Sequence, residues 1–368
     1  MTETLRDAGG PKGFVGLWGQ WPGWVGYAAA AFSLVYGALG LWWALGGAGF
    51  PFGAGHDPLG RGVSILDHAR PETAGPAIAA LGFAGAAIAL VMAGGRARWL
   101  PGAALVGFGW AVALGLTVVV PDYRPLLAVV RLPMLLAGAP FGWPREVGLS
   151  DFLPLYLPWP VANQVLLMAG GVLWAATAVA FWRGIRGACR YCGRTDAASR
   201  WTAPAVALRW GRWAAGVAIA VPLFYALTRW AFFLAIPLGC ACPGLRAEEA
   251  ESPGIWLAGA ALATMAAGGA VLTLGLVWRW GEVYPRWIPL LAGKTVRPRT
   301  AILPAALVSL LLTTAGTMYV REMASGSLGL DWETGPVLAM PLWGVALGAA
   351  ALSYHYRRRG GCGRCRRS

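Results

Sequence analysis

Charge is what this 368-residue chain has least of. Asp, Glu, Lys and Arg together make up 12% of it, about half of the roughly 25% carried by soluble domains. So few charges cannot cover a water-facing surface, which excludes an ordinary soluble fold. Lysine is almost missing: Lys12 and Lys294 are the two present. Neither lies in an apolar run, so a retinal Schiff base inside a bundle is excluded. The three histidines are His56, His68 and His355, and no two of them sit within apolar runs as ligands for a b-type haem would. Acidic residues are missing from the middle of those runs, where an ion pump needs them. There is no phosphate-binding Walker loop, no dinucleotide glycine fingerprint and no His-Glu-x-x-His.

What remains is hydrophobic. Apolar residues make up 57% of the chain, and the mean hydropathy is +0.57. They gather in runs near the ~20 residues that a helix needs to cross the hydrocarbon core. The 53 glycines suit such helices, because small residues let backbones approach closely in lipid. Spans are expected near 24–47, 76–95, 102–121, 161–182, 213–238, 254–278, 301–320 and 335–356. The first is too long for the 7–15-residue core of a signal peptide, and it is preceded by Glu3 and Asp7 as well as Arg6 and Lys12. It reads as a retained span.

Placing the N-terminus in the cytoplasm puts 22 of the 30 basic residues in inner segments and 12 of the 16 acidic residues in outer ones. That bias fixes orientation and makes both termini cytoplasmic. The net charge of +14 therefore belongs to membrane rims. It implies attraction to anionic inner-leaflet lipid, with no nucleic-acid partner.

The chain also repeats itself. Trp182-Arg-Gly-Ile-Arg-Gly-Ala-Cys189-Arg-Tyr-Cys192-Gly is echoed by His355-Tyr-Arg-Arg-Arg-Gly-Gly-Cys362-Gly-Arg-Cys365. Arg98-Trp-Leu-Pro101 is echoed by Arg286-Trp-Ile-Pro289, and Tyr36-Gly-Ala-Leu39 by Tyr225-Ala-Leu227. Self-similarity at a fixed spacing marks a repeat architecture. A four-span unit begins and ends on one side, so two of them share one orientation, as in parallel-repeat membrane folds. The expected fold is all-α and polytopic, with eight transmembrane helices as two parallel-repeat four-helix bundles. Residues 1–22 form a cytoplasmic segment, 23–195 the first repeat, and 196–368 the second repeat with its basic Cys-x-x-Cys tail. Trp43-Ala-Leu-Gly-Gly47, together with the Arg-Trp-Leu-Pro101 turn, resembles an uncharacterised family of four-helix bacterial integral membrane proteins. The resemblance implies a fused pair of such units in a bacterial cytoplasmic membrane, and carries no activity with it.

Two Cys-x-x-Cys knuckles are the usual half-sites of a four-thiolate zinc centre. Cys189, Cys192, Cys362 and Cys365 fall in equivalent positions past the fourth and eighth spans, so they are expected to hold one Zn2+ as a cytoplasmic staple. The alternatives are inert thiols, or a thiol–disulfide oxidoreductase using the same pairs. Cys240-Ala-Cys242 has no counterpart in the first half, and its state is left open between a disulfide, a metal site and buried thiols.

Arg229 is the one charge expected well inside a span. Such a residue faces a partner or a water-filled cavity, and Asp122 and Glu322 are its candidate partners. A structural ion pair or a snorkelling side chain is the plainer alternative. His56-Asp57 and Asp67-His68, in a Gly/Pro-rich outer loop, read as solvated. Residues 125–139 are too short to span and read as re-entrant or interfacial. Tryptophans such as Trp24, Trp182, Trp213 and Trp278 fit an aromatic belt. The functional expectation is a non-enzymatic carrier or membrane-assembly component.

Overall fold

A computed structural model describes residues 20–95, 101–142, 148–195, 200–236, 238, 255–286, 292–332 and 334–365. Cys240, Cys242, most of the N-terminal segment and most of the paired Arg-Trp-x-Pro marks lie outside them. The described residues are helical. Their long helices are α1 (Trp21–Ala44), α2 (Pro71–Gly94) and α3 (Gly102–Leu114, continued by a wider π-turn over Gly115–Val119). After these come α4 (Arg124–Gly138), a short α5 (Phe152–Tyr156), α6 (Trp159–Ile185) and α7 (Pro204–Phe233). The chain closes with α8 (Ile255–Leu274), α9 (Pro298–Ala324), a short α10 (Gly335–Leu338) and α11 (Met340–Arg358). Seven are long and apolar enough to cross a membrane: α1, α2, α3 with its π-turn, α6, α7, α8 and α9.

Proline sets most of the starts. Pro22, Pro71, Pro125, Pro160, Pro204 and Pro298 all stand in first turns, where the missing N–H costs nothing and the fixed φ favours the helix. Two boundaries differ from expectation. α7 opens at Pro204 rather than near 213, because Arg209 and Arg212 are good helix formers whose stems can lie along an apolar face. The expected span 335–356 is broken between α10 and α11. Pro341 has no N–H to offer the carbonyl four residues back, and its ring would crowd that carbonyl. α11 then ends in Tyr354-His-Tyr-Arg-Arg358, which leaves it short of the apolar length of the other seven.

Packing is small inside and large outside. Ala29, Ala89, Ala178, Ala218, Ala263 and Ala350 are fully or nearly fully buried, while Leu81, Val172, Leu227, Leu272 and Leu303 stand exposed. A soluble protein does the reverse. In lipid, exposing leucine costs nothing and close backbone approach is what holds helices together. Trp182 and Trp278 near helix ends are exposed as well, as is Trp213 within α7, but Trp43 and Trp174 are core residues at 1% exposure.

α1 packs along α2, α3 along α6, and α1 also on α6. Correspondingly, α7 packs along α8, α9 along α11, and α7 also on α11. The contact between these two groups runs mainly through α9, which meets the π-turn and α4. At the π-turn the Thr314 hydroxyl donates to the Thr117 carbonyl at 2.6 Å. Nearby, Tyr123 and Tyr319 face each other with centroids 6.1 Å apart, and Arg321 donates to the Val63 carbonyl at 2.6 Å.

The α1–α2 contact depends on missing side chains. A Cβ on Gly82 would stand 2.4 Å from the Gly37 Cα and one on Gly40 would stand 2.6 Å from the Ala79 nitrogen. Backbone cannot yield as a flexible side chain can. Gly82→Ala should therefore destabilise the protein by about 1–3 kcal/mol through overpacking. Gly107→Ala, where a Cβ meets nothing within 4 Å, should be neutral or better. Denaturant unfolding in detergent checks both; equal effects at the two positions would refute the close-packing account.

Candidate metal centre

The end of α6 explains the first knuckle. Gly187 takes a left-handed φ of 63°, and the Ala188 N–H donates back to the Arg183 carbonyl at 2.9 Å. Glycine fits this helix stop because it carries no Cβ penalty there. The chain then folds on itself. The Gly193 N–H donates to the Cys189 carbonyl at 2.8 Å, and the Cys189 N–H to the Arg194 carbonyl at 3.0 Å. Gly193 has φ 72°, a second place where an L side chain would be strained. Arg183 reaches forward from the last turn of α6 and clamps the loop, donating to the carbonyls of Arg190 and Tyr191 at 3.1 and 3.0 Å.

The second knuckle follows α11 and meets the first. α11 packs on α7, with Trp201 edge-on to Tyr356 at 5.1 Å, so the C-terminal end of α11 lies beside the entry to α7. The two loops then exchange arginines. Arg194 donates to the Gly360 carbonyl at 3.1 Å and Arg359 donates to the Cys192 carbonyl at 3.5 Å. Arg364 lies over the Tyr191 ring at 5.0 Å.

Between them stand four free thiols. The sulfurs of Cys189, Cys192, Cys362 and Cys365 all lie within 4.8 Å of one another. Cys192 Sγ and Cys365 Sγ are 3.6 Å apart. Zn–S bonds of about 2.3 Å in a tetrahedron put sulfurs about 3.8 Å apart, so the cluster is near the size such a centre requires. These residues can hold a metal ion.

Their electrostatics favour one. The Cys362 thiol is pulled down to about 6 by backbone N–H groups of Cys365 and Arg364. Burial pushes Cys192 up to about 12, and the neighbouring cysteines add to that. Cys189 is penalised by burial, but N–H groups of Cys192 and Tyr191 outweigh it and lower its pKa. Opposite shifts in one cluster are what crowded like charges produce. Cys362 and Cys189 give up their protons more easily than a free thiol, and Cys192 resists, a resistance that a bound cation would oppose. Four thiolates around a divalent ion still leave two negative charges, and Arg183, Arg194, Arg359 and Arg364 surround the site to balance them.

The opposite end of the bundle holds a polar cluster that sequence reasoning missed. Arg124, which opens α4, donates to both oxygens of Asp57 at 2.7 and 2.6 Å. It also donates to Asp122, with its closest contact at 2.6 Å. Gln164 on α6 accepts from the Asp122 N–H at 3.1 Å and donates to its carboxylate at 2.8 Å. Next to it, the Tyr36 hydroxyl donates to Asn163 at 2.7 Å. Burial opposes the charge on Arg124, but hydrogen bonds to Asp57 and Asp122 outweigh it and raise its pKa. Asp57 is thus a buried ion-pair residue rather than a solvated one. His56 packs edge-on to Phe50 at 5.4 Å.

Asp122 is accordingly engaged by Arg124 and Gln164. Arg229 instead lies over the rings of Tyr225 and Phe232 at 5.4 and 5.9 Å. Glu322 stands 4.0 Å from Arg321. Tyr319 is within electrostatic reach of both Asp122 and Arg229.

Comparison with family models, curated proteins and solved structures finds no match to this chain.

Proposed function

We propose that this is a non-enzymatic protein of the bacterial cytoplasmic membrane, a carrier or assembly component whose two four-helix repeats are stapled beneath the inner leaflet by one Zn2+. Cys189, Cys192, Cys362 and Cys365 are its ligands. The single observation that carries the reading is the convergence of four thiols within 4.8 Å from loops in the two halves of the chain. Reducing cytosol keeps such thiols free for metal.

The repeat reading draws on the matching neighbour pattern of the helices, in which α1, α2, α3 and α6 correspond to α7, α8, α9 and α11. Parity supports α11 as an eighth crossing. Bringing Cys192 and Cys362 to one side requires an even number of crossings between them, and α7, α8, α9 and α11 supply four. The excess of basic residues at the cysteine end favours a cytoplasmic face there and contact with anionic lipid. The resemblance to four-helix bacterial membrane proteins fits the same unit.

Metal analysis of protein purified without added metal tests the staple. One zinc per chain is the expected result. One iron per chain, visible as colour, would keep the four-thiolate centre and replace its metal, since tetrahedral sulfur sites suit either. A metal-free protein isolated with a Cys192–Cys365 disulfide would overturn the staple and favour a thiol–disulfide oxidoreductase.

A further inference from the structure

A cavity of about 240 Å3 lies at the end of the bundle away from the cysteines. It is far larger than the ~10–15 Å3 that a single water occupies. Three helices from both halves wall it, each with one face. α4 contributes Leu127, Val130, Arg131 and Met134, the i, i+3, i+4, i+7 stripe of a helix. α7 contributes Tyr225 and Arg229, one turn apart, and α8 contributes Trp256, Gly259 and Leu262 from its first two turns.

The position of these residues along their helices gives the depth. Arg229 stands four residues before the end of α7, about 6 Å below it at 1.5 Å per residue. Trp256 is the second residue of α8. The entry to α7 lies beside the cysteine end, so Arg229 and Trp256 lie near the opposite membrane face. Two guanidinium groups therefore sit at headgroup level, with an apolar slot running inward past Val130 and Leu262. Ile255, which lines the slot, is exposed, so the slot opens onto surface suited to lipid. The Arg229 guanidinium lies over the rings of Tyr225 and Phe232, and a guanidinium fork matches the geometry of phosphate oxygens.

We propose that this cavity binds an anionic lipid, with its phosphate between Arg131 and Arg229 and an acyl chain against Leu127, Val130 and Leu262. Arginine pairs phosphate oxygens in bidentate fashion, and the apolar walls suit a chain that a soluble anion lacks. The site is independent of the metal centre.

The test is thermal unfolding of the purified protein in detergent, titrated with dioleoyl phosphatidylglycerol. A saturable rise in Tm is expected. Dioleoyl phosphatidylcholine, with the same chains and no net charge, should give much less, and inorganic phosphate should give none. Arg131→Gln with Arg229→Gln should weaken the phosphatidylglycerol response about tenfold or more, as losing charge-assisted hydrogen bonds implies. Gly259→Leu keeps both charges and fills the slot, and a Cβ there meets nothing within 4 Å. It too should abolish the response while bound metal is unchanged. Equal stabilisation by the two lipids, a full response to inorganic phosphate, or an undiminished response in Gly259→Leu would each overturn the proposal.

Discussion

Cys192→Ser should cost the protein its stoichiometric metal, with affinity falling by more than ~100-fold. Loss of a ligand's outer partner alone costs about 10–100-fold, and Cys192 is proposed as a ligand. Cys192 also stands against the second knuckle, its sulfur 3.6 Å from that of Cys365. Metal content after a chelator wash reads the effect directly. Cys365→Ser should match it, because the ion needs both loops. Helix content should change little, since helix packing around the buried alanines does not involve the knuckles. Acidification of the unmutated protein should release the metal, because protons compete for thiolates. A Cys192→Ser protein that kept its metal through the wash would exclude the four-cysteine centre.

Arg124→Met should destabilise the fold by about 3–5 kcal/mol, the usual cost of stripping one partner from a buried ion pair. Asp57 and Asp122 would be left as adjacent buried carboxylates with their shared cation gone. Their exposures are 6% and 1%, so water can do little for them. The triple variant Arg124→Met, Asp57→Asn, Asp122→Asn removes the charges together and should recover part of the loss, as neutral replacements of buried pairs often do. Unfolding in detergent with increasing denaturant compares the three proteins. A single variant within 1 kcal/mol of the parent would mean that the cluster is solvated.

The two sites differ in how far local sequence could reveal them. The cysteine cluster was legible because each knuckle carries its own spacing and follows a similar arginine-rich helix end. The expectation that the two would meet came from an assumed symmetry rather than from any local pattern. The Asp57–Arg124–Asp122 cluster was not legible for the opposite reason. Asp57 lies 67 residues before Arg124, in a stretch of glycine and proline that reads as an exposed loop. Only the tertiary fold tucks that loop against α4. Asp122, expected as a candidate partner of Arg229, is engaged by the cation two residues along. Most helix starts that proline opens were readable to within a few residues, but α7, which Pro204 opens, was placed late because Arg209 and Arg212 look like a loop. The break at Pro341 was visible in the residue itself but hidden by the apolar composition around it.

The wider turn at Gly115–Val119 bears on how the protein can move. A π-turn shifts the backbone pairing and leaves a carbonyl turned outward, and here the Thr117 oxygen is taken by Thr314 from the other half. That bond joins the halves partway down two spans, like an axle between two blocks. The blocks are tied again at the rim away from the cysteines, where Arg321 donates to the Val63 carbonyl, and at the cysteine rim, where Arg194 and Arg359 cross between the loops. The slot beside Arg229 is walled by helices of both blocks, so a molecule seated in it would touch both at once.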